Sequence, residues 1–206
     1  MTDPLRETIV QYGRSLHDRG LSPGTSGNLS VRLVDGFLVT PTNSSLGALE
    51  AGRLSLLDAS GVHVEGDAPT KEVALHLALY EAHPDARAAV HLHSTYAVAV
   101  SCLADLDPDD ALPALTPYYV MRVGRLPLVR YRRPGSPELL EALRARAAES
   151  RALLLQNHGS IVAAASLADA VAAAEEIEEA ANVTLLLRGL PVRTLTDDER
   201  GELRQP

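Results

Sequence analysis

The sequence predicts an α/β fold in which a mixed β-sheet is flanked by helices. Three observations carry that prediction. Stretches with apolar side chains at helical spacing interleave with short apolar or alternating runs. Clusters of Gly, Pro, Asn and Ser separate them as turns. The order of the stretches lacks a strict strand–helix–strand rhythm, which points to a mixed sheet rather than a purely parallel one. No repeat and no long linker interrupts the chain, so residues 1–206 read as a single domain.

Residues 4–20 read as the first helix, with Leu5, Ile9, Tyr12 and Leu16 on one stripe and Gly20 as its stop. The polar run 21–30 is a loop, and strands follow at 29–33 and 37–40 across the Asp35-Gly36 turn. A second polar loop spans Pro41 to Gly47, and a further strand pair covers 53–57 and 62–64. From Thr70 to His83 the period is helical. An apolar strand, 88–93, runs into 95–103, and the Asp- and Pro-rich residues 104–117 form a loop. Residues 123–131 alternate loosely as a strand, 136–150 are helical, 151–156 and 160–165 are buried strands, and 167–189 form a long Ala/Glu helix.

Composition narrows the function. The chain is 46% hydrophobic and 22% charged, the balance of a folded globular protein. A formal net charge of −8 argues against nucleic acid as a partner, since phosphate contacts need clustered basic charge. One Cys excludes an internal disulfide framework and suits a reducing compartment. No apolar run is long enough for a membrane span, and the first residues lack an apolar signal core. The expectation is a cytoplasmic enzyme with neither a membrane nor a nucleic-acid partner. Against 18 Arg stands a single lysine, Lys71, so its ammonium is worth attention.

The strongest chemical signal is Val90-His91-Leu92-His93-Ser94. On a strand, residues two apart project from one face, so both imidazoles point to the same side. Two half-buried histidines with backbone partners would also account for the pair. His158 follows the strand 151–156, and Gly159 after it would let the backbone turn sharply. Three imidazoles with an open position suit a catalytic zinc, and would also hold Mn, Co or Fe. Glu72 is the best candidate for a general acid/base. An acid at a helix start with Thr70 as N-cap is equally well explained by the helix dipole. His17, His63, His76 and His83 read as surface or helix-face residues. The loops 24–28 and 40–45 offer hydroxyls and free N–H groups of the kind that cradle phosphate.

In order, Thr25-Ser26-Gly27-Asn28-Leu29-Ser30, Thr40-Pro41-Thr42, Lys71-Glu72, His91-Leu92-His93-Ser94 and Asn157-His158-Gly159 resemble the class II aldolase/adducin family. The resemblance covers most of the chain and implies a mixed central sheet with helices on both sides, assembled as a C4 homotetramer. It further implies a divalent metal, most often Zn2+, on His91, His93 and His158, with Glu72 as acid/base and resting ligand. By the same resemblance Gly27, Asn28, Thr42, Asn43, Thr70 and Lys71 bind a substrate phosphate, and Tyr118 or Tyr119 reaches a neighbouring subunit as proton donor.

The family's sugar-phosphate aldolases carry Thr-Pro-Thr-Gly and Ser-Ser-Glu where this chain has Thr42-Asn43 and Thr70-Lys71-Glu72. The stretches 40–47, 66–72, 91–110 and 118–129 instead resemble a subgroup that decarboxylates 3-oxo-tetronate 4-phosphates in four-carbon sugar-acid catabolism. The implied activity is that of a carbon–carbon lyase acting through a metal-stabilised enediolate, yielding dihydroxyacetone phosphate and CO2. The alternative is retro-aldol cleavage of a ketose phosphate such as fuculose or ribulose phosphate. A dehydratase, or a non-catalytic module as in the adducin branch, would be further possibilities within the family; the second should lack the metal ligands.

Overall fold

The computed structural model describes residues 3–203. Its centre is an eight-stranded sheet comprising β1 (Asn28–Arg32), β2 (Gly36–Val39), β3 (Ser55–Asp58), β4 (His63–Glu65), β5 (Ala88–Leu92), β6 (Leu128–Val129), β7 (Ala152–Leu155) and β8 (Gly159–Ala164). The strands lie in the order β4-β3-β2-β1-β5-β8-β7-β6. Neighbours pair antiparallel except β6 with β7, which are parallel, so the mixed sheet is as expected.

The helices are α1 (Pro4–Asp18), α2 (Val73–Ala82), α3 (Thr95–Ser101), α4 (Pro117–Arg122), α5 (Pro137–Ala147), α6 (Leu167–Leu186) and α7 (Asp197–Glu202). They cover both faces of the sheet. On one face Ile9 and Leu16 of α1, Ala97 and Val100 of α3, and the alanine-rich side of α6 pack on Leu29, Val31, Ala88, Val90 and Leu92. Small alanines let α6 approach the strands closely, which is how a core with one Phe and no Trp stays filled. On the other face Leu75 and Leu79 of α2 and Leu139 and Leu143 of α5 pack on Ala89, Leu153 and Ile161. Alternation along β5 therefore turns His91 toward the α2 side.

Two stretches differ from the sequence expectation. Residues 123–131 contribute only Leu128–Val129 to the sheet, and the helix α4 precedes them. Pro117 opens that helix and the Thr116 side chain caps it by accepting from the Tyr119 N–H, local signals at the end of the stretch expected as a loop. The helix expected from Thr70 begins at Val73, with Glu72 and not Thr70 in the N-cap position. The cause is tertiary. The Thr70 N–H donates to the Thr40 carbonyl (3.1 Å) and Pro69 bridges Pro41, so this segment is tied to the neighbouring loop and is not free to coil.

Candidate active site and metal centre

Three separate chain segments meet at the ends of β1, β5 and β8. The rings of His91, His93 and His158 lie edge to face, with centroids 4.6 to 4.9 Å apart. Their ligating nitrogens and a Glu72 carboxylate oxygen all fall within 4.8 Å of one another. His91, at 0% exposure, donates its Nδ1–H to the Ser160 carbonyl at 2.8 Å, which leaves Nε2 as the free lone pair. That nitrogen faces His93 Nε2 at 2.9 Å and Glu72 Oε2 at 3.3 Å. His158 Nε2 lies 3.2 Å from Glu72 Oε1.

So many acceptors aimed at one point repel each other unless a cation lies between them. Three imidazoles and one carboxylate are the donor set of a divalent transition metal, and the residues present fit such an ion. Backbone-anchored second partners of this kind fix the orientation of metal ligands. Burial pushes the His93 imidazolium down to about 3, with His91 and His158 adding to the effect, so the ring is neutral and able to ligate. For Glu72 burial works upward, but His91, His158 and Asn28 together outweigh it and hold the carboxyl well below the usual carboxylate range.

His158 reaches the cluster from the turn between β7 and β8. The left-handed residue there is Asn157, with φ 56°, and not Gly159 as expected. Gly159 is required for a different reason: a Cβ on it would stand 2.2 Å from the Leu92 carbonyl oxygen of the paired strand. The turn is also held by α3, through the Asn157 N–H to the Ser101 carbonyl and the His158 N–H to Ser101 Oγ.

Beside the cluster lies a cavity of about 380 Å³. Thr25, Ser26, Gly27 and Asn28 line it on one side, Thr42, Asn43, Thr70 and Lys71 on the other, and Glu72, His93 and His158 form its inner end. The 40–45 loop is tied to both neighbours, for the Leu29 N–H at the end of the first polar loop donates to Thr40 Oγ1 (3.1 Å) and the Thr42 N–H donates to the Ala68 carbonyl ahead of Thr70 (2.9 Å). Asn43 adopts φ 56° and Gly27 φ 78°, which turns the loop backbones tightly. Nearly all of the sequence-predicted site residues are thus brought together.

Tyr118 and Tyr119 are not part of this gathering. Both belong to α4, which packs against α6. Tyr119 is 1% exposed within the core, whereas Tyr118 is 63% exposed. Sequence reasoning missed three contributors. Pro134 and Gly135, ahead of α5, form part of the cavity wall, and only the turn chemistry of that loop hinted at them. His76, expected on a surface or helix face, is 1% exposed and joins Asn28. Its spacing of one helical turn from Glu72 was the available signal.

Comparison with known proteins follows the same lines. Residues 7–185 match the Class II Aldolase and Adducin N-terminal domain. The chain belongs to this family. It is 51% identical to the 3-oxo-tetronate 4-phosphate decarboxylase of Haemophilus influenzae, over 98% of both chains. It is 36% identical to the L-fuculose phosphate aldolase of Escherichia coli K12, over 95% of this chain and 90% of that relative. The crystal structure of YgbL from Escherichia coli superposes with a TM-score of 0.94 at 44% identity, covering 98% of each chain. Among the described residues, no helix of this family member is long and apolar enough to cross a membrane.

Proposed function

We propose that the protein is a carbon–carbon lyase that decarboxylates a 3-oxo-tetronate 4-phosphate to dihydroxyacetone phosphate and CO2. The observation that carries this reading is one cavity with a polar cradle, including the lone Lys71, opening onto the Glu72 carboxylate and the imidazoles of His93 and His158, with His91 buried behind them. The relative at 51% identity, named for this activity, supports it. A divalent ion on His91, His93, His158 and, at rest, Glu72 would supply Lewis-acid polarisation of the substrate ketone; we assign Zn2+, with Mn2+ or Co2+ as substitutes.

The chain's own residues do the rest. Gly27, Asn28, Thr42, Asn43, Thr70 and Lys71 hold the phosphate through hydroxyls, amides and one ammonium. Gripping that end fixes the 3-oxo acid so that its C1–C2 bond can break with the electron pair passing toward the ketone. The carbon that loses CO2 then needs a proton, and Glu72, ionised at rest at the inner end of the cavity, would take one up from solvent and pass it to that carbon. Lys71 favours this substrate class because a compact cation suits a ligand with both a phosphate and a carboxylate.

We further propose that the 206 residues work as one cytoplasmic domain and assemble as a C4 homotetramer. Exposed Tyr118, Met121, Leu186, Leu190 and Val192 support an association surface on α4 and beyond the end of α6. In such an assembly Tyr118, being exposed, suits the role of proton donor to a neighbouring site; the sealed hydroxyl of Tyr119 does not.

The test is to incubate zinc-loaded protein with 3-oxo-tetronate 4-phosphate. Equal amounts of CO2 and dihydroxyacetone phosphate are expected. An aldehyde released from a ketose phosphate, with no gas evolved from the 3-oxo acid, would assign the chain to the aldolases instead.

A further inference from the structure

Behind Glu72 runs a line of buried polar side chains that the metal centre does not need as ligands. Glu72, His76 and Tyr80 follow one another at four-residue steps, and Asn28 and Ser30 are two apart on β1, so each set presents one stripe. The two stripes interlock. Asn28 Nδ2 lies 2.8 Å from Glu72 Oε2, Asn28 Oδ1 lies 2.5 Å from His76 Nε2, Ser30 Oγ lies 2.7 Å from His76 Nδ1, and Tyr80 Oη lies 2.8 Å from Ser30 Oγ.

The carboxylate fixes the direction of every bond. An ionised Glu72 only accepts, so the Asn28 amide must present its NH2 to it. The Asn28 oxygen then faces His76, whose Nε2 must carry a hydrogen. A neutral imidazole protonated at Nε2 accepts at Nδ1, so Ser30 donates there and in turn accepts from Tyr80. Burial, with His91 adding, pushes the His76 imidazolium down to about 3, which keeps that single tautomer neutral. The far end is clamped as well: the Arg32 guanidinium lies 4.6 Å over the Tyr80 ring and donates to the Tyr80 carbonyl.

We infer that His76 is a positioning residue, locking the Asn28 amide so that its NH2 always faces Glu72 and the carboxylate is held in one attitude toward the substrate carbon. This rests on the reading of Glu72 as the proton-delivering group. Without His76 the amide is free to flip, which sets its oxygen against the carboxylate.

The experiment compares wild type, His76→Leu, His76→Gln, Asn28→Ala and the Asn28→Ala/His76→Leu double variant for kcat, KM, bound metal and melting temperature. Direct partners of a metal ligand, as Asn28 is of Glu72, typically matter about 10- to 100-fold; His76→Leu, which acts through Asn28, should lose about 10-fold in kcat, with KM within about 3-fold and metal content unchanged. His76→Gln, whose amide nitrogen can stand in for Nε2–H, should recover to within about 5-fold of wild type. In the Asn28→Ala background the leucine substitution should cost nothing further, because the lock has nothing left to hold. Wild-type kcat in His76→Leu, no recovery by glutamine, or fully additive losses would overturn the inference. Nitrogen-15 NMR of the unliganded wild type gives an independent reading: the Nε2–H tautomer and a slowly exchanging Asn28 amide are expected, and the Nδ1–H tautomer would overturn the assignment. That measurement decides the matter if the leucine variant fails to fold. It also decides if wild type does not turn over the 3-oxo acid, a result that would sink the proposed function alone.

Discussion

The polar cluster between β1, β5 and α2 and the ion pairs on the outer surface both set ionisable side chains against each other, to opposite effect. At the cluster, four side chains from three segments converge in a largely buried space, and their partners behind them are fixed by backbone and amide bonds. Outside, Arg144 pairs with Glu81, Arg151 with Asp85 and Arg188 with Asp105, each partner standing in solvent. Charge in water is already satisfied, and long side chains lose freedom when they pair, so the exposed pairs contribute little. Burial and convergence, rather than the count of charges, mark where the molecule carries function.

The contrast can be broken hardest by removing the ion or a ligand to it. Dialysis against a chelator, or His158→Ala, should lower kcat/KM by more than about 1,000-fold, and added Zn2+ should restore the dialysed wild type but not the variant. Metal analysis beside the kinetic assay checks the cause. Glu72→Gln keeps the shape but cannot shuttle a proton, and a loss of about 100- to 10,000-fold in kcat is expected with the protein still folded. Lys71→Ala should cost about 10- to 100-fold in kcat/KM, mainly as a higher KM for phosphorylated substrate. A Lys71→Ala protein with unaltered constants would remove the lysine from the phosphate cradle.

A pH series sharpens the comparison further. Burial, with His91 adding, holds His76 near 3 in the folded chain against an ordinary value of 6.5. Between those values the unfolded chain binds the extra proton, so the stability of metal-free protein should fall as pH drops from about 6.5 toward 3. One such group gives a slope of about 1.4 kcal/mol per pH unit at most, and the depressed Glu72 carboxyl acts in the same direction. Urea unfolding across that range should show a shallower slope in His76→Gln than in wild type. The smallest effect belongs to the surface: Arg188→Ala should move the thermal midpoint by no more than about 2 °C.

The placement of elements tells which signals were readable. Seven of the eight strands and the helices α1, α2, α5 and α6 follow from periodicity and turn residues near their expected positions. The strand at 128–129 falls inside the longer one expected at 123–131 and is much shorter, because only the Pro127 and Val129 carbonyls and the Leu128–Val129 pair engage β7. The short helices α4 and α7 depend on caps at Thr116 and Thr196, signals only a few residues long. In the site, His91 and His93 announce themselves by spacing, whereas His76 looks like any helix-face histidine until β1 is laid against α2.

Taken alone, the sequence determined the strands, most of the helices and the candidate ligands, because these depend on local periodicity and on residue chemistry. Only the tertiary structure decided that His158 joins His91 and His93, that Gly159 serves a close approach to Leu92 rather than a left-handed turn, and that Tyr118 is exposed while Tyr119 is sealed. Those outcomes depend on which segments meet across the sheet. Contacts between residues sixty or more positions apart are set by packing and hydrogen bonding of the whole chain, and no local pattern encodes them.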